Sequence, residues 1–147
     1  MSIEQVVSGE EILAIIVRHD FAQPGVHFFT PSEFSQQLGY MKHSVGKIIQ
    51  PHVHTAVQRA VEYTQEVLFI RKGKLRVDFY SREQKYLESR VLEDGDVILL
   101  ASAGHGFEVL EELEMFEVKQ GPYSEHADKV RFDGISPDEA VLGGHSN

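Results

Sequence analysis

Two histidines one residue apart, His52 and His54, are the most chemically suggestive feature of this chain. On an extended strand, side chains alternate with a period of two, so both imidazoles would point to one face and form half of a metal site. Pro51 supports that reading, because it favours extended backbone at Gln50. A plainer reading stays open from these residues alone: with eight histidines in the chain, two can simply be polar residues on a wet face. His105 shares a strand face with Phe107 and Val109, and Glu66 shares one with Leu68 and Ile70. An imidazole or a carboxylate among apolar neighbours needs a cation or hydrogen bonds to compensate it. For His105, a backbone carbonyl would serve as well. Cysteine is absent, which excludes thiolate metal sites, thiol nucleophiles and disulfides. Nothing in the sequence matches a serine-histidine-aspartate set, a phosphate-cradling glycine loop or a nucleotide fingerprint.

Short strands must position these groups. Residues 45–118 read as a series of them, rich in β-branched and aromatic side chains and punctuated by Gly, Asp or Ser. Within 74–80, Leu75, Val77 and Phe79 alternate with polar residues, which predicts one buried face and one wet face. Residues 71–74, 81–84 and 93–96 read as turns around strands 74–80 and 86–92, and 97–100 is a continuous apolar run suited to a covered strand. Residues 12–17, Ile-Leu-Ala-Ile-Ile-Val, favour a strand. Residues 31–38 and 136–141 each predict a helical turn or two, and 143–147 a frayed tail.

At this point the chain resembles the cupin family, whose first motif runs G-x5-H-x-H-x(3 or 4)-E-x6-G. Gly46, His52 and His54 match its first half, and Glu66 with Gly73 matches its second. Eleven residues, 55–65, replace the usual three or four between them, an insertion of low closure cost. That longer loop makes Glu62 a rival for the carboxylate position, but only Glu66 keeps the spacing to Gly73. The family's second motif is matched in part: Gly95 is present, His105 falls one residue early, Ala101 stands for proline and Val109 for asparagine. The resemblance covers about half the chain. It implies an all-β, jelly-roll barrel of the double-stranded β-helix type in one domain, residues 1–147. The barrel core would lie at about 40–121, with the N-terminal strand and the C-terminal tail peripheral. It also implies one divalent ion held by His52, His54, Glu66 and His105, with two positions of an octahedral ion left open. Imidazole-rich ligand sets suit Fe, Mn, Ni or Zn without choosing among them.

The 147 residues, 41% hydrophobic, suffice for one core. A net charge of −9 without a basic cluster argues against nucleic acid or an anionic membrane as partner. The apolar run 12–17 is too short to span a bilayer and lacks a basic flank, so a soluble, cytoplasmic protein is expected. The expected partner is a small molecule. Three functions are compatible: Lewis-acid isomerase, epimerase or lyase chemistry, for which the resemblance suggests a sugar-derived substrate; an iron-dependent dioxygenase; or a non-catalytic binding or sensing module. Gln50, Gln65, Lys119 and Tyr123 are further candidates to line the mouth of the barrel and bind substrate. A homodimer is expected, with strand 12–17 seeking a pairing edge and exchanging between protomers.

Overall fold

Eight strands carry the fold of the computed structural model, which describes residues 2–124 and 128–144. In chain order they are β1 (Ile3–Ser8), β2 (Glu11–Val17), β3 (Gly25–Phe28), β4 (Gly39–Lys42), β5 (Glu66–Tyr80), β6 (Tyr86–Leu92), β7 (Val97–Leu100) and β8 (Gly104–Lys119). Six of them form one antiparallel sheet in the order β1-β2-β7-β5-β6, with β8 along the other edge of β5. The remaining two, β3 and β4, make a small separate hairpin. Among the described residues, no helix is long and apolar enough to cross a membrane.

The long strand β5 organises this sheet by bending. Its first half, Glu66 to Phe69, pairs with β7, whereas its second half, Leu75 to Tyr80, pairs with β6. Strand β8 follows it through both halves, with register shifts concentrated between Ile70 and Leu75. Bulges of this kind add a residue on one strand and turn the ladder. The sheet therefore curls over itself into a half-barrel, and the apolar faces of its two halves meet inside. Ile16, Ile98, Leu68 and Ile70 lie in one cluster with Leu75, Val77, Phe79 and Leu92. Strands β1 and β2 supply Val6, Leu13, Ala14 and Ile16 to that cluster, so the N-terminal strands belong to the core rather than to its periphery.

Several sequence expectations are corrected here. Residues 71–74 are no turn but the bend within β5: Gly73 takes φ +100, and a Cβ there would lie 2.0 Å from the Glu112 carbonyl oxygen. Strand β2 is not an open edge, since β1 and β7 of the same molecule flank it and Ala14, Ile15 and Ile16 are fully buried. The outer face of 74–80 is covered, not wet. Arg76 and Asp78 are buried there as an ion pair with Nε–Oδ1 at 2.8 Å, and Arg76 also donates to the Pro137 carbonyl. The C-terminal segment forms that cover: Leu142 bridges Ser89, and the Ile135 amide donates to the Tyr80 hydroxyl. Residues 31–38 form no helix. They are the loop of the β3–β4 hairpin, closed by the Phe29 amide on the Leu38 carbonyl and by Gln37 donating to the Pro31 and Phe34 carbonyls. One turn of 3₁₀ helix, Pro137–Glu139, with a Ser136 and Glu139 capping box, is what forms within 136–141. Of the expected tail, 145–147 lie outside the described residues.

Valine at Gly73 is expected to destabilise the fold by at least about 1–3 kcal/mol, from left-handed backbone strain alone, with the clash against Glu112 added. Urea denaturation of Gly73→Val against the parent protein measures it.

Candidate metal centre

Glu66 opens β5 and His105 lies opposite Phe79, near its far end. Thirteen residues of straight strand would separate those two levels by roughly 43 Å at about 3.3 Å per residue. The bend at Ile70 to Leu75 closes that distance, and the Glu66 Oε2 and His105 Nε2 atoms lie 3.3 Å apart. A carboxylate and an imidazole that alternation places on apolar faces thus find each other across the curled sheet. Hydrogen bonding to His105 holds the Glu66 carboxyl below its ordinary value, against the opposing effect of burial, and the charges of His105 and Lys119 act in the same direction. Lys119 is the β8 residue directly opposite Glu66.

The pair borders an open cavity of about 760 Å³. Tyr80 and Phe132, edge to face at 5.0 Å between centroids, form an aromatic part of its wall, and Arg82, Lys129 and Arg131 add positive charge. Arg82 is held by Glu11 at 2.6 Å and stands over the Tyr63 ring.

His52 and His54 occupy a different place. They lie in residues 43–62, which contain no strand, and every residue from 41 to 63 is exposed. Their rings are 5.1 Å apart, so the two imidazoles do stay together, and His52 Nδ1 lies 3.1 Å from the Gln50 carbonyl. The structure therefore brings these four residues together as two separate pairs, Glu66 with His105 and His52 with His54. Among the described residues, no three His, Asp or Glu groups converge as a metal would require. The donor types fit a divalent ion, since an imidazole and a carboxylate already share one point and two further imidazoles sit adjacent on a free segment. Glu62, the rival carboxylate, is also on the exposed segment and lines a second cavity near Glu11 and Phe34.

The substrate candidates fare unequally. Gln50 is exposed on the same segment as His52. Gln65 is only 8% exposed and its polar atoms are engaged: its Oε1 accepts from the Gln36 backbone amide at 3.0 Å, its Nε2 donates to the Ala101 carbonyl at 3.4 Å, and its backbone amide donates to Gln120 Oε1 at 2.7 Å. It braces the entry to β5 against the hairpin loop. Lys119 extends over the exposed Tyr123 ring at 5.6 Å. Local pattern does not mark Tyr80 and Arg82 as cavity residues, because the cavity exists only where the C-terminal segment crosses the sheet. No family model matches the chain, and no curated protein or solved structure is significantly similar to it.

Proposed function

We propose that the chain is a jelly-roll metalloprotein of the cupin type, holding one divalent ion with Glu66, His105, His52 and His54 and acting on a small sugar-derived substrate. The observation that carries this reading is the Glu66–His105 contact at the edge of the cavity, made by residues from opposite ends of a bent ladder. Such an ion, when bound, supplies Lewis-acid polarisation of a substrate oxygen, the chemistry of isomerases, epimerases and lyases. The chain's own groups do the rest. Glu66 brings negative charge that lowers the cost of collecting imidazoles around a cation. Lys129 and Arg131 offer hydrogen-bond donors to substrate oxygens in a cavity of mixed charge that Glu66, Asp78 and Asp128 also line, and Tyr80 with Phe132 gives its carbon skeleton an apolar wall.

Metal titration of the stripped protein tests this. Uptake of about one ion per chain is expected for Ni²⁺, Zn²⁺, Mn²⁺ or Fe²⁺, with affinity weakening in acid, where protons compete with the metal for its ligands. Stoichiometric iron with oxygen uptake would move the reaction to a dioxygenase. Absence of uptake by any of the four ions would overturn the proposal.

A further inference from the structure

Residues 43–62 carry the two histidines away from the body of the molecule, and the body ends in an unused edge. We infer that these two features belong together across a dimer: the segment adds as a strand to β8 of a second copy of the chain, and the metal centre is assembled in trans, His52 and His54 from one protomer with Glu66 and His105 of the other. This rests on the metal reading above and adds who supplies which ligand.

Strand β8 is sixteen residues long, and its only strand partner among the described residues is β5. Cross-strand register shows what it exposes. The row Ala14, Leu100, Glu66 and Lys119 crosses the sheet on one face, and Leu75, Val77 and Phe79 are matched on β8 by Val109, Phe107 and His105. Leu75, Val77 and Phe79 are buried, whereas their β8 partners Val109 and Phe107 are exposed. The core face therefore continues outward onto β8, where Phe107 and Val109 stay exposed among the described residues. Phe116 and Val118 are exposed as well. A long apolar edge strand with free backbone groups pairs with another strand when one is offered.

The segment offers one. Its sequence has strand character, with Ile49, Val53 and Val57 alternating against Ile48, His52 and His54. In the monomer that character is unused: Ile48 and Val53 are 83% and 84% exposed. Among the described residues, its hydrogen bonds stay within the segment, from Lys47 to Ser44 and between His52 and Gln50. Unstructured connections of this length inside a domain are uncommon unless they serve a function. Charge matches the two surfaces. Within 41–63 stand Lys42, Lys47 and Arg59 against the single acid Glu62, whereas β8 carries five glutamates against Lys119, of which Glu108 and Glu111 are paired with Arg76 and Lys74 of β5. In a chain of net charge −9, a positive arm and a negative edge select each other and disfavour edge-to-edge pairing of two β8 strands. A second copy satisfies both partners reciprocally around a two-fold axis.

Complementation between two variants, each unable to bind metal, decides the matter. One carries His52→Ala with His54→Ala, the other Glu66→Ala with His105→Ala; they are co-expressed with different tags and isolated as the mixed dimer. Assembly in trans restores one complete site per mixed dimer, roughly half an ion of Ni²⁺ or Zn²⁺ per chain, while each variant alone holds almost none. Wild-type protein that binds the ion beside a mixed dimer that binds none would overturn assembly in trans and leave the metal reading standing. Light scattering gives a metal-free check should a variant fold poorly. Wild-type protein is expected as a dimer and a deletion of residues 45–57 as a folded monomer; a monomeric wild type overturns the exchange. If the wild type takes up no metal, the metal reading falls, and this second measurement alone decides the exchange.

Discussion

Replacing Asp96 by alanine is expected to destabilise the protein by about 2–4 kcal/mol, the cost of leaving two backbone amides without their acceptor and of taking one of its two carboxylates from Arg18. Asp96 is 1% exposed and its two carboxylate oxygens accept three hydrogen bonds, two from the adjacent residues 18 and 19 and one from its own loop 93–96. Arg18 Nη1 donates to Oδ2 at 2.9 Å, the His19 amide to Oδ1 at 2.8 Å and the Glu93 amide to Oδ2 at 2.9 Å. The loop 93–96 in turn grips the bend of β5: the Ile70 amide donates to the Asp96 carbonyl, the Gly95 amide to the Ile70 carbonyl, and the Gly73 amide to Asp94 at 2.6 Å. Alanine leaves the guanidinium of Arg18 with Glu4 and the Val91 carbonyl, and leaves two amides without an acceptor. For a chain of this size the loss corresponds to a fall in Tm of roughly 10 °C. Asparagine should cost less, since its amide oxygen still accepts from one backbone amide. Thermal unfolding of both variants provides the check, and a change below about 1 kcal/mol for Asp96→Ala would refute the role given to this loop.

How far the sequence reveals this fold depends on whether a pattern is local. Strands β6 and β7 were legible because their alternation or continuous apolar character is complete within four to seven residues. The turn 93–96 was legible from Glu93-Asp94-Gly95-Asp96, and Gly95 does take positive φ. Gly73 has the same signature at φ +100, yet there it bends a strand instead of ending it, because positive φ serves a bulge and a turn alike. Only the pairing of β8 along both halves of β5 distinguishes the two, and that pairing spans some forty residues of chain. Arg76 and Asp78 misled for a related reason. Their polarity marks a wet face on local evidence, whereas they neutralise each other beneath the C-terminal segment. The ligand candidates divide the same way. Burial pressure on Glu66 and His105 was readable from alternation, and the two meet in the structure. The strand character of 47–57 was readable too, but a strand exists only when paired, and this chain by itself pairs it with nothing.

Each half of the Glu66–His105 contact is expected to matter far more for metal than for stability. Glu66→Ala and His105→Ala should each raise the Kd of the bound ion by more than about 100-fold, above the 10–100-fold typical of residues that only orient a ligand. Their effect on folding should remain near 1 kcal/mol, because both side chains are partly solvated and neither belongs to the apolar cluster that closes the half-barrel. The two losses should also be unequal in kind. Without Glu66 the remaining ligands are neutral imidazoles, so the site loses its negative charge and its affinity becomes less sensitive to ionic strength. Without His105 the carboxylate stays, with Lys119 opposite it in register, and an ammonium then competes with the metal for the same oxygen atoms. A titration of both variants at low and high salt separates these cases. Equal affinities for wild type and variants would place the ion elsewhere and reduce the contact to an ordinary ion pair of the curled sheet.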